Sequence, residues 1–280
     1  MLQHDLIAAV RAAVAADPGV DAALMYGSFA KGEADAHSDV EFWLFLTPDA
    51  HARTDPRAWI TALGHPVGYI LHNEFGAHVA FFDALVRGEF HFATTDQYDE
   101  LATWPERGAP VPDMIVLDRS GRLRPALAAL PDRMPLPPIG PFVTAYCDPW
   151  LNWLVLATHV LRRGELLRSL DALGHVQRQL LWIVRRAEDA TAHWLTPSRA
   201  AERDLAPTVL AALHAATAPA EPARIAAALR AALAEGRRCW RTLAARHPEQ
   251  AAPPPEDLLG QLDALLATLT GGDDRAAAVG

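Results

Sequence analysis

Two short runs in this sequence combine residue types that can act on phosphate esters. The first is Gly27-Ser28, followed by Asp39 eleven positions after the serine and then by Glu41. Glycine after an apolar run lets the backbone approach a ligand closely. A serine hydroxyl and exposed N–H groups at a helix start can then hold phosphate oxygens. Taken alone, the pair reads as a helix cap after a tight turn, and its context is what points to phosphate. Asp39 and Glu41 alternate along a strand, so their side chains share one face, roughly 6.5–7 Å apart along the backbone. Such a pair can hold divalent cations together, since two acids at the head of a buried strand are costly unless paired or metal-bound. Lys31 lies one helical turn after Ser28 and is the single lysine of the chain, in which Arg supplies nearly all the positive charge. A compact ammonium is not interchangeable with a forked guanidinium, which fits Lys31 as a phosphate contact. A solvated helix residue is the alternative.

The second run is RGEFHF, residues 87–92, just after the strand-like HVAFFD. Phosphoryl chemistry on a hydroxyl needs a third acid, as metal ligand, general base or both. Asp83 and Glu89 are the candidates. Asp83 falls on the face of Val79 and Phe81, or caps the segment after it. Glu89 sits among aromatics, where burial raises a carboxylate's pKa toward that of a working base. His91 lines the pocket or is a hydrogen-bonded structural histidine, and Arg87 is a further basic candidate. Glu33, Asp35 and His37 read as a solvated loop, with Ser38 placed to orient the carboxylates.

A Gly-Ser corner, a spacer and an Asp-x-Glu pair on the next strand together resemble the polymerase-β-like nucleotidyltransferases. That resemblance implies Mg2+ ions held by Asp39 and Glu41, bridging nucleotide phosphates and activating an attacking hydroxyl. The runs ALMYGSFAKGEADAHSDVEFWLFL, NEFGAHVAFFDALVRGEFHF and RRGELLRSLDAL are similar to the lincosamide nucleotidyltransferases, which adenylate antibiotics. The similarity covers most of the first domain and the first two helices of the second, and fades beyond about Trp194. It implies transfer of AMP from ATP to a lincosamide hydroxyl, Glu89 as the base, and a homodimer.

These residues need elements to position them. Residues 2–16 show helical periodicity, with Leu2, Leu6, Ala9, Val10 and Val14 on one face. Strands are predicted over 21–26, 39–47, 67–71 and 78–83, the last two joined as a hairpin through 72–77. A helix is expected over 55–63, capped by Asp55. The stretch 131–141, PDRMPLPPIGP, has five prolines and excludes an ordinary helix or central strand. Beyond it the pattern is helical over 142–163, 165–194, 198–216, 221–247 and 256–270. The predicted fold is an α/β (α+β) nucleotidyltransferase domain with a mixed sheet (1–130), a linker (131–141), an all-α helical bundle (142–270) and a disordered tail (271–280). Tyr146, Trp150, Asn152, Trp153 and Glu165 are acceptor-pocket candidates. At helical spacing, Trp150, Trp153 and Leu154 are more often core than ligand contacts. Arg162, Arg163 and Arg168 reach phosphates or form surface ion pairs.

Composition narrows the classes. With 51% hydrophobic and 21% charged residues, the chain reads as soluble and globular. No apolar run reaches the roughly 18–20 residues of a membrane span. Cys147 and Cys239 have no metal-type spacing, which suits a reduced cytoplasm. A net charge of −9 argues against nucleic acid as partner, because that binding depends on neutralising phosphates. A small acceptor fits better. Another hydroxylated acceptor such as an aminoglycoside, or an idle binding module of antitoxin type, are the competing readings. Buried acids retained at 39, 41 and 89 oppose the idle one.

Overall fold

The structure, a computed structural model, describes residues 1–270. The tail expected over 271–280 lies outside the described residues. The chain forms two compact units, with the boundary between Pro135 and Leu136, inside the proline-rich stretch.

The first unit is organised on a mixed sheet. Among the described residues its strands are β1 Val20–Met25, β2 Val40–Leu46, β3 Val67–His72, β4 His78–Phe82, β5 Arg87–Thr94 and β6 Ile115–Asp118. Their order is β3-β4-β5-β2-β1-β6. Only β2 and β5 run parallel, and they sit at the centre. The hairpin β3–β4 pairs His72 with His78, and the Asn73 side chain closes its loop by accepting from the N–H groups of Phe75 and Ala77.

One face of β2 is fully apolar. Val40, Phe42, Leu44 and Leu46 are completely buried, and Phe42 stacks against Phe90 of β5 at 6.0 Å. Each such side chain contributes about 1.5–3 kcal/mol on burial. Helix Leu2–Ala16 packs Leu6, Val10 and Val14 against β1, β2 and β6. The opposite face of β2 carries Glu41, Trp43 and Phe45, since side chains alternate across a strand. Strand β5 is not among the strands expected from the sequence. Its Arg87, Glu89 and His91 share a face opposite Gly88, Phe90 and Phe92, and that polar half conceals the apolar one.

The second unit is helical. Helix Leu166–Ala187 packs against both Asp148–Arg162 and Pro222–Arg246, and Pro222–Arg246 also packs against Glu256–Thr270. Trp150 lies fully buried across Gly236, where an added Cβ would come within 2.2 Å of the indole. That approach requires glycine. The helix expected over 198–216 is broken into Ala201–Asp204 and Pro207–Ala215. Pro207 disfavours helical backbone at Ala206 and has no N–H to continue the ladder. The helix expected to reach 194 ends at Ala187.

Arg185 secures the segment after that helix. Its side chain is fully buried and donates to the carbonyls of Pro197 (2.5 Å), Ala190 (2.7 Å) and Arg199 (2.5 Å), and to Asp204 Oδ2 (3.1 Å). Arg185→Ala is expected to destabilise the protein by about 3–5 kcal/mol, because it leaves three carbonyls without their donor and takes one partner from Asp204, which keeps His193 and Arg203. Urea denaturation checks this, and a loss under about 1 kcal/mol would contradict the tethering role. Cys147 and Cys239 are buried free thiols. No helix among the described residues is long and apolar enough to cross a membrane.

Candidate active site

The polar face of β2 and β5 brings the predicted acids together. Glu41 stands directly opposite Glu89 in the parallel register, with Trp43 opposite His91 one step along the same face. Neighbouring strands lie about 4.8 Å apart, so the two carboxylates are adjacent. Asp39 precedes β2 and reaches the same place through Arg87. The guanidinium donates to Asp39 Oδ2 and to Glu89 Oε2, each at 2.5 Å. Two of the three carboxylates thus share one guanidinium.

Gly27 is where this arrangement is most constrained. It begins the short helix Gly27–Lys31 with φ of 71°, in the left-handed region that disfavours side chains. A Cβ there would lie 1.4 Å from Glu41 Oε2. The sequence suggests glycine for close approach of a phosphate; the group that lies against it is the Glu41 carboxylate, which also receives the Ser28 backbone N–H. Gly27→Ala is expected to cost about 1–3 kcal/mol of stability and to displace Glu41 with loss of activity. Denaturation and turnover measured on the same sample check both. If each is retained, the glycine does not secure Glu41.

The electrostatics reverse one expectation. Burial among aromatics predicts a raised pKa for Glu89. Instead it is held down at about 2, by the His91 imidazole and by the hydrogen bonds from Arg87 and Tyr26, which outweigh burial. His91 Nε2 lies 3.5 Å from Glu89 Oε1, and the Tyr26 hydroxyl donates to the same oxygen at 3.0 Å. The raised carboxylate is Glu41, pushed up to about 7 by burial first and then by the charges of Glu89 and Asp39. Burial alone would lower the pKa of Arg87, but its bonds to Asp39 and Glu89 overcome this and raise it. Burial, with Glu89 and Glu41 nearby, also raises the Tyr26 phenol.

The other candidates fall at different distances from this centre. Ser28 is buried at the corner. Lys31 Nζ lies 3.8 Å from Glu106 Oε1, and its stem covers Gly108. Asp83 is exposed at the start of the turn Asp83–Leu85 rather than at the end of β4. His91 is buried and stacks on Trp43 at 4.2 Å. Ser38 does not orient the carboxylates: its hydroxyl bonds Asp35, from whose backbone N–H it also accepts. In the second unit Trp150 is core, Trp153 stacks on His175 at 4.0 Å, and Glu165 forms surface ion pairs with Arg163 and Arg168.

Two further residues of the site carry no motif in the sequence. Tyr26 directly follows β1, where its N–H bonds the Glu41 carbonyl, and its hydroxyl reaches Glu89. Gln3 is buried on the apolar side of helix Leu2–Ala16, where its Nε2 donates to the carbonyls of Ala36 (2.9 Å) and Ser38 (3.4 Å). It holds the loop that delivers Asp39. A glutamine in phase with Leu6 and Val10 is the one signal that could have found it.

The donor set fits a hard divalent cation. It consists of carboxylate oxygens, the ligand type that Mg2+ takes alongside substrate phosphates, and a guanidinium already bridges two of them. Among the described residues no group of three or more His, Cys, Asp or Glu side chains is arranged to hold a metal ion by itself. Asp39 and Glu41 would hold the ion.

Comparison with known proteins adds a likeness in the second unit. Residues 142–250 match the model of the lincosamide nucleotidyltransferase-like C-terminal domain, so the likeness extends well past Trp194. No curated protein matches the chain. Two solved structures are an aminoglycoside 6-adenyltransferase from Bacillus subtilis and a nucleotidyltransferase-like protein from Exiguobacterium sibiricum. The first is 10% identical, covers 94% of this chain and 97% of its own, and has a TM-score of 0.43. The second is 13% identical, covers 96% and 89%, and has a TM-score of 0.37. Neither carries an argument, and what the comparisons show is a likeness of residues 142–250 to the C-terminal domain of the lincosamide nucleotidyltransferase-like proteins.

Proposed function

We propose that this protein transfers AMP from ATP to a hydroxyl of a lincosamide antibiotic such as lincomycin or clindamycin, with Mg2+ as cofactor. The observation that carries the chemistry is the in-register pairing of Glu41 with Glu89 beside Asp39. The family match over residues 142–250 supports the acceptor class.

In this reading Asp39 and Glu41 hold the cation, and Gly27 and Ser28 form the corner against which the nucleotide's phosphates lie. Lys31 reaches those phosphates by leaving its long contact with Glu106. A bound divalent cation supplies neutralisation of the phosphate oxygens at both the entering and leaving positions. The acceptor oxygen bonds to the α-phosphorus, the bond from that phosphorus to the bridging oxygen breaks, and pyrophosphate departs. Glu89 takes the hydroxyl proton on Oε2, the oxygen to which Arg87 donates. Its other oxygen stays fixed by Tyr26 and His91, which orient the base. The reaction takes place in the cytoplasm, in a homodimer.

An acceptor panel with ATP and Mg2+, read by pyrophosphate release, tests the acceptor. Release with lincomycin or clindamycin supports the proposal. Release with an aminoglycoside alone would leave the chemistry and overturn the acceptor.

A further inference from the structure

Arg87 is placed unusually for a residue beside a phosphoryl-transfer centre. Its two terminal nitrogens are spread between Asp39 Oδ2 and Glu89 Oε2, both at 2.5 Å. A guanidinium matches carboxylates well because its donors lie in one rigid plane. Here it fills the role of a cation linking two strands, between acids that would otherwise repel. A carboxylate oxygen engaged by a charged donor is a poorer ligand for a metal and a poorer acceptor for a proton. We propose that Arg87 is the resident counter-cation of the metal-free site, and that it competes with the divalent ion for the Asp39 carboxylate.

This rests on the reading of Asp39 and Glu41 as metal ligands, and it assigns Arg87 a task which that reading leaves open. The arginine holds the acids in place before the substrate arrives, then gives way. Its side chain is 32% exposed, so it has solvent into which to withdraw. The strand end that carries it comes after two consecutive left-handed residues, Ala84 (φ 54°) and Leu85 (φ 59°), with Leu85 itself projecting into solvent. Backbone of this kind is strained for residues with a side chain and clusters at ligand clamps and switch segments. Withdrawal has a second effect, because the same movement frees Glu89 Oε2. Cation binding and release of the base are thereby one event.

The test is Mn2+ binding to the full chain without nucleotide, followed by electron paramagnetic resonance of the free ion. Arg87→Gln is expected to bind Mn2+ at least about tenfold more tightly than the unaltered protein, since a competing charge is gone. Arg87→Lys should fall between, because one ammonium cannot span both carboxylates. In chelator, Arg87→Gln should melt lower than the unaltered protein and gain more on addition of Mn2+. Equal or weaker Mn2+ binding by both variants would overturn the proposal. Asp39→Asn with Glu41→Gln separates it from the reading beneath it. If that double variant binds Mn2+ as the unaltered protein does, the ion is not held by these carboxylates and both ideas fall. If only that variant loses Mn2+, the metal site stands and the Arg87 variants decide.

Discussion

Glu89→Gln is expected to lower kcat for acceptor adenylylation by about 10²- to 10⁴-fold, the usual contribution of a positioned acid–base group. Nucleotide affinity should change little. The substitution keeps an oxygen for the Tyr26 hydroxyl and removes the carboxylate that faces Glu41 across the ladder and is anchored on three sides. KM for ATP near its original value, with kcat reduced, is the expected split. Asp83→Asn is the control. Asp83 lies exposed in the turn before β5, so its change should leave kcat within about threefold, as for surface substitutions away from such features. The reverse pattern would transfer the role of base to Asp83.

Glu41→Gln should have opposite effects on activity and on the stability of the metal-free protein. Turnover is expected to fall at least about 10²-fold, as when a single electrostatic stabiliser is lost from a reaction centre. Stability should rise at alkaline pH. The Glu41 carboxyl titrates near 7 in the native protein against an ordinary value of 4.5, so folding disfavours its ionised form. Its contribution is fully present below pH 4.5 and is lost as pH rises through 7, amounting to about 3 kcal/mol at pH 8. Glutamine has no such dependence. Denaturation in chelator should therefore show the variant gaining on the unaltered protein between pH 5 and pH 8. Glu89 acts in the other direction, stabilising above 4.5 and losing that contribution as pH falls toward 2, so the two windows do not overlap. Parallel pH profiles for the two proteins would contradict the burial of an ionisable Glu41.

Much of this centre is legible because β2 reads in two registers at once. Its apolar positions Val40, Phe42, Leu44 and Leu46 mark a covered strand, and the acids at 39 and 41 break that pattern at one end only. β5 is harder. Arg87, Glu89 and His91 alternate with Gly88, Phe90 and Phe92, a half-buried strand whose polar face resembles a loop. That alternation puts Arg87, Glu89 and His91 on one face. It also means that the carboxylate between a guanidinium and an imidazole is held low rather than raised. Tyr26 and Gln3 escape for another reason, since their roles depend on partners 63 and 33 or more positions away that no local periodicity identifies. In the second unit the helices depart from their apolar spacing at two places: one stops at Ala187 short of 194, and another is broken at Pro207, where backbone chemistry outweighs an otherwise continuous pattern.

Transfer of label from ATP tests the central claim most directly. ATP carrying radioactive phosphorus at the α position, incubated with the protein, Mg2+ and lincomycin, should pass its label to the antibiotic. ATP labelled at the γ position should leave it unlabelled and release all its label as pyrophosphate. Label from the γ position on the antibiotic, or from neither position on any acceptor, would contradict nucleotidyl transfer at the Asp39, Glu41 and Glu89 centre.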